Sequence, residues 1–147
     1  MKNIVLCSTL NPECIQTLKN LAGKIDLTNT TIHIVTLIKL HIPIFNMAPY
    51  IYPEAIHNAY IENEALKRLK EIGDSLNVAP NQIIYNCSFK YDVKESMKVY
   101  LEETKADLAV VAIREKNGIE GFFQSSFSEY LINFSPCDVL VLKNSKL

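Results

Sequence analysis

The stretch Asp107-Leu108-Ala109-Val110-Val111-Ala112-Ile113 carries the longest unbroken apolar run of the chain, six residues from Leu108. Such a run, without polar alternation, predicts a strand buried on both faces. Strands of that kind belong to parallel sheets, whose two faces are covered by crossover helices. The residues on either side of it fit that reading. Asp92-x-x-Glu95 resembles a capping box that opens a helix carrying Val93, Met97, Tyr100 and Leu101. After a polar loop, Arg114 to Gly118, Ser126-x-x-Glu129 is predicted to cap a short helix with Phe127, Leu131 and Phe134 on one side. Pro136 stops that helix, and Asp138 to Leu142 reads as a last strand.

Toward the N-terminus the same alternation recurs. Ile4 to Cys7 is a short buried strand. Asn11-Pro12-Glu13 is a helix start, with Asn as cap, Pro at the first helical position and Glu at the positive dipole end. Ile15, Leu18, Leu21 and Ala22 follow at helical spacing. Thr31 to Ile38 is a second strand, rich in β-branched residues, and Gln82 to Cys87 a third. Between them a long helix from Glu54 to Leu76 shows a stripe of Leu66, Leu69, Ile72 and Leu76, opposed by Lys67, Arg68, Lys70 and Glu71. The order β-α-β-α-β-α-β-α-β predicts an α/β fold: one doubly wound, five-stranded parallel sheet with helices on both faces, as a single domain over residues 1–147.

Composition narrows the function classes. Over 147 residues, 48% are hydrophobic and 21% charged, and the formal net charge is −1. Nothing in such a balance advertises nucleic acid or an anionic membrane as a partner, since a phosphate backbone is usually met by a basic face. Met1-Lys2-Asn3 precedes only four apolar residues, too few for a signal-peptide core, so a cytoplasmic location is expected. Cys7, Cys14, Cys87 and Cys137 form no C-x-x-C, and His33, His41 and His57 complete no zinc pattern. Four reduced thiols are expected and no metal; a redox pair of Cys7 and Cys14 is the alternative.

In an open parallel sheet, ligands bind beyond the carboxyl ends of the strands, where strand order reverses. Three segments are expected to meet there: Ser8 to Asn11, the end of strand two near Leu37, and Arg114 to Ser126. Ser125 and Ser126, with Arg114 and Lys116 nearby, open a helix whose free N–H groups favour an anion. The plainer reading is that Ser126 only caps the helix and both cations are solvated. A phosphoacceptor site would need acidic residues where Ser8-Thr9 and Cys87-Ser88 stand, and Lys143 would then lack its partner. No serine lies on a nucleophile elbow, and His33 between Ile32 and Ile34 reads as one face of a strand. No enzyme activity is expected.

Residues 106–112, Ala-Asp-Leu-Ala-Val-Val-Ala, resemble the "ADLIVMG" strand of the universal stress protein family. Ser126-Phe127-Ser128-Glu129-Tyr130-Leu131, followed by Ser135-Pro136-Cys137-Asp138-Val139-Leu140-Val141, resembles its "GSVAEKVL…APCPVLVV" ending, with matching spacing. Ile4 to Asn11 resembles its "ILVPTDFS" opening. ATP-binding members of that family carry a G-x-x-G-x(9)-G-[ST] loop. Laid on this chain, its glycines fall on Ala112, Glu115 and Ser125 and its hydroxyl on Ser126, while the acidic residue after strand one falls on Thr9. Glycine is needed where backbone N–H groups must approach phosphate closely. Glu115 sets a carboxylate against a triphosphate: two unit charges about 4 Å apart at an effective dielectric of about 20 repel by roughly 4 kcal/mol. Even a third of that costs about tenfold in affinity. A second G-x-x-G, Gly118 to Gly121, would need a glycine at Leu131, in mid-helix.

The resemblance therefore implies a stress-response protein of the type that does not bind ATP. It places Val139, Leu140, Val141 and Leu142 on an edge strand that pairs with its twin in a homodimer. Two other readings remain: a switch that still binds ATP or AMP weakly through the degenerate loop, and a small-molecule carrier using residues 39–53. That stretch breaks regular structure with Pro43, Pro49 and Pro53, yet holds Ile42, Ile44, Phe45, Met47, Tyr50, Ile51 and Tyr52. It reads as a local cap over the sheet, or as a protein-partner site or lid.

Overall fold

The computed structural model describes residues 2–40, 54–113 and 126–143. Five parallel strands, β1 (Asn3–Cys7), β2 (Thr31–Lys39), β3 (Ile83–Lys90), β4 (Leu108–Ile113) and β5 (Asp138–Lys143), lie in the order β3-β2-β1-β4-β5. Helices α1 (Pro12–Lys19), α2 (Glu54–Ser75), α3 (Val93–Glu103) and α4 (Ser126–Phe134) complete the alternation. Pairing runs Leu6↔Ile34 on one side of β1 and Leu6↔Val110 on the other.

Side-chain alternation divides the core into two layers. Ile4 and Leu6 of β1 point to a cluster with Ile15 and Leu18 of α1 and Leu69 and Ile72 of α2. Val5 and Cys7 point the other way, to Met97 and Leu101 of α3 and Leu131 of α4. That is why β1 has no polar alternation: Ile4, Val5 and Leu6 are all fully buried. The doubly wound sheet expected from the sequence is the sheet observed.

Local signals explain the element starts. Asn11 Oδ1 accepts from Glu13 N at 2.9 Å, and Pro12 opens α1. Asp107, just before β4, accepts from the backbone N–H groups of Lys2 and Asn3, both at 2.8 Å, and so ties the start of β1 to the start of β4. Those bonds hold its carboxyl below the usual range. Helix α3 ends in a turn that sequence reading missed. Lys105 takes a left-handed φ of 51°, Ala106 N bonds Leu101 O at 3.0 Å, and Lys105 N bonds Glu102 O at 3.2 Å. This is a Schellman motif with lysine where glycine is usual.

Four expectations need correction. Ser126 is the first residue of α4, not its cap, because the helical turn already includes it. Phe134 does not join the buried side of α4. It is 57% exposed and stacks on Tyr130 with ring centroids 5.0 Å apart, while Phe127 and Leu131 make the contacts with the core. The capping box of α3 is only half formed. Asp92 Oδ1 accepts from Glu95 N at 3.1 Å, but the Glu95 carboxylate takes the Tyr130 hydroxyl at 2.7 Å instead of returning to the cap. That bond pushes the Tyr130 phenol up to about 12. Finally, β3 starts at Ile83 and runs on to Lys90. Gln82 ends a short 3-10 turn, where its Nε2 donates to Leu27 O and Thr30 O. Ser88 therefore lies within the strand.

Candidate functional site

Strand order reverses between β1 and β4, which both leave the sheet at the same end. Two clefts open there. The first, about 300 Å³, is lined by Cys7, Thr9 and Asn11 from the β1 end, by Cys14 of α1, by Val111 to Ile113 of β4, and by Ser126 to Ser128 of α4. The second, about 350 Å³, lies between the β1 end, the β2 end near Leu37 and the first turns of α3. Thr9 and Phe127 line both.

The structure thus brings Thr9, Ala112 and Ser126 together at the first cleft, and Thr9 and Leu37 at the second. Thr9 and Ser126 are exposed, and Ala112 and Leu37 partly buried. Arg114, Glu115, Lys116 and Ser125 lie outside the described residues, as do the expectations for residues 41–53. At the first cleft the Cys14 thiol donates to Ala112 O at 3.5 Å, which sets α1 against the end of β4. Among the described residues, neither cleft has a lysine or arginine in its lining.

Cysteine chemistry finds little support in the same geometry. Burial, then the neighbouring Cys137, pushes the Cys7 thiol far up, so it is protonated and a poor nucleophile at neutral pH. Cys87 on β3 is also raised, by burial and by Glu62. All four cysteines are free thiols, and no cluster of three metal-ligating side chains occurs among the described residues.

Sequence reading missed two features. Phe127, assigned simply to a core stripe, stands where the two clefts meet. His33 is 8% exposed beneath α3, with Nδ1 sharing a hydrogen bond with the Tyr100 hydroxyl at 2.9 Å and its ring meeting Tyr100 edge-on. Helical spacing placed Tyr100 on the buried face of α3, and only the β2 register shows that it lands on His33. Burial lowers the His33 pKa, so the folded protein keeps the ring neutral where an unfolded chain would protonate it. As pH falls through about 6.5, the unfolded state gains a proton first, and stability is lost until the folded-state value is passed. Thermal melts from pH 7.5 down to 5.5, above the carboxylate range, should show a falling Tm. His33→Gln should remove most of that slope; an unchanged slope would assign it elsewhere.

On the far side of β4, β5 forms a sheet edge. Val139, Leu140 and Val141 are partly exposed, whereas Leu142, at 4% exposed, is packed into the α1–α2 layer. The second edge is β3, with Ile84 45% exposed. Among the described residues, no helix is long and apolar enough to cross a membrane.

Fold and clefts together define a doubly wound α/β protein with two clefts at the end of the sheet where strand order reverses between β1 and β4. A profile of the universal stress protein family matches residues 1–143. The chain belongs to that family. Among solved structures, the universal stress protein UspA from Lactobacillus plantarum superposes with a TM-score of 0.71 at 14% identity, over 96% of this chain and 97% of that one. A universal stress protein in complex with cAMP gives a TM-score of 0.62 at 19% identity, over 98% of each chain. A universal stress protein from Archaeoglobus fulgidus in complex with dAMP gives 0.56 at 12% identity, over 97% of this chain and 98% of that one. A comparison with curated protein sequences found no match.

Proposed function

We propose that this chain is a cytoplasmic stress-response protein of the non-ATP-binding type, working as a homodimeric interaction module without a catalytic step or cofactor. The observation that carries the reading is that Thr9 and Ala112, which line the first cleft, stand where ATP-binding members of the family carry an acidic residue and a glycine. Ala112, where ATP-binding relatives of this family have glycine, adds a Cβ at the end of β4. The edge position of β5, with Val139, Leu140 and Val141 partly exposed, supports antiparallel pairing of two copies through their backbones.

A second reading is weak binding of an adenine nucleotide. It is favoured by the two relatives in complex with cAMP and dAMP and by a crevice of about 300 Å³ at the switch point between β1 and β4.

Isothermal titration of the purified protein with ATP, with and without magnesium, separates the two. No heat up to about millimolar nucleotide is the expected result, since each missing phosphate contact of about 1.4 kcal/mol costs tenfold. Micromolar binding would overturn it and assign phosphate recognition to Ser125, Ser126, Arg114 and Lys116 by another geometry.

A further inference from the structure

A third cleft lies at the opposite end of the sheet. Its walls are the turn that leads into β2, Ile25 to Asn29, and the turn that leads into β3, Leu76 to Ala79, with Ala22 and Gln82 beside them. The strands are parallel, so this is their amino end, away from the switch point. Leu40 and Ile113, the last described residues before 41–53 and 114–125, stand at the carboxyl end. At about 430 Å³ the cleft falls within the range of ligand cavities, about 300 to 1,000 Å³.

Gln82 ties the two turns together. Its Nε2 donates to Leu27 O at 3.2 Å and to Thr30 O at 3.0 Å, and its Oε1 accepts from Ala79 N at 3.0 Å. The floor is apolar, with Leu27 and Leu76 buried and Ile25 and Val78 partly buried. The rim is polar. Asp26 Oδ1 accepts from Thr28 N at 2.9 Å and from the Thr28 hydroxyl at 2.6 Å, which leaves Oδ2 to a ligand. Those bonds hold the Asp26 carboxyl below its usual range, so it is ionised at neutral pH. Asn29 and Asn77 bend the two turns in the left-handed conformation, with φ of 54° and 55°. Their exposed side chains take no hydrogen bond among the described residues.

We propose that this cleft binds a small primary amine with an apolar body, taken as its ammonium ion. The ammonium has three N–H donors and no acceptor. The rim answers with Asp26 Oδ2 and the side-chain carbonyls of Asn29 and Asn77, and the carboxylate makes the stronger, charge-assisted bond. Asp26 also sets the sign of the ligand: no lysine or arginine lines the cleft among the described residues, and exposed Lys24 stands outside the lining. The hydrocarbon body rests on Ile25, Leu27, Leu76 and Val78, which removes apolar surface from water. The rim stays open to solvent, so the carboxylate is screened and the affinity is modest.

The test follows backbone amide shifts of the full chain, in nitrogen–proton correlation spectra at neutral pH, as phenethylammonium chloride is added. Amides of the two turns should shift together and saturate with a Kd on the order of 1 mM. Phenethyl alcohol, the same body without the charge, should bind about fivefold more weakly, and phenylpropionate more weakly still. Asp26→Asn keeps the Oδ1 acceptor for Thr28, and so the turn, but removes the charge. It should weaken the ammonium about fivefold and leave the alcohol unchanged, a pattern that damage to the fold would not give. Ala79→Trp, at an exposed wall position, fills the cleft and should weaken both ligands. Asp74→Asn, which neutralises an exposed carboxylate outside the lining, should change neither. The proposal is overturned if the turns show no saturable shift, or if the alcohol binds as well as the ammonium. It is also overturned if Asp26→Asn binds the ammonium like the parent, if Ala79→Trp leaves both ligands unaffected, or if Asp74→Asn weakens the ammonium as much as Asp26→Asn does.

Discussion

Replacing Leu6 by alanine should cost about 3 kcal/mol of stability, read as a lower urea midpoint with an unchanged slope. Leu6 is fully buried at the middle of the central strand, between Ile34 on β2 and Val110 on β4. Its side chain faces the layer formed by α1 and α2. The neighbours are strands held in register by backbone hydrogen bonds, so they cannot close over the lost methyl groups as a loop could. A residual cavity adds to the lost transfer energy, which is why leucine-to-alanine changes in cores fall between about 2 and 5 kcal/mol. Total stabilities lie near 5–15 kcal/mol, so one such change removes a large share. Ile132→Ala provides the contrast. Ile132 is 58% exposed on α4, and its truncation should stay within about 0.5 kcal/mol. A loss below about 1 kcal/mol for Leu6→Ala would contradict the packing described for β1.

The same two-layer packing explains what the sequence revealed and what it hid. β1 and β4 were legible because both faces of each are covered, which leaves continuous apolar runs and no polar alternation. α1 was legible because its cap is local: Asn11, Pro12 and Glu13 act within a few residues of one another. Long-range partners leave no such mark. Glu95 looked like half of a capping box, but it spends its carboxylate on Tyr130, 35 residues away. Phe134 has the helical spacing of a core residue, yet α4 meets the sheet through Phe127 and Leu131. Lys105 carries a backbone conformation that only glycine would have advertised.

The candidate site was legible in a different sense. General topology predicted that the β1 end, the β2 end and the β4 end would converge, and Thr9, Leu37, Ala112 and Ser126 do line clefts there. Resemblance to the family identified which positions should have been glycine. Neither argument could show that the space divides at Phe127 into one cleft with two thiols and another walled by Leu37, Ile38, Val93 and Met97, because that depends on how α3 and α4 pack against the sheet.

Rebuilding the family's loop should raise nucleotide affinity, and the order in which affinity rises tests the proposed reason why this chain does not bind ATP. Glu115→Gly alone should leave ATP binding undetectable near neutral pH. It removes one repelling charge, but Ala112, Ser125 and Thr9 still differ from the ATP-binding pattern. Phosphate recognition by a loop is cooperative in geometry: several N–H groups must face the same oxygens, and one residue that cannot take the required backbone conformation misplaces the others. The combined variant Thr9→Asp, Ala112→Gly, Glu115→Gly, Ser125→Gly should therefore gain about a hundredfold or more over the parent, equivalent to about 2.7 kcal/mol. Most of that gain should appear only when the last glycine is in place. Titration calorimetry on the single, triple and quadruple variants reads the effect directly. Comparable affinity in Glu115→Gly and the quadruple variant would mean that charge repulsion alone silences the site, and that the Cβ atoms at Ala112 and Ser125 do not obstruct it. No gain in the quadruple variant would move the obstacle elsewhere, first to Phe127 and the Cys14 contact with Ala112 O at 3.5 Å, which fix the shape of the first cleft.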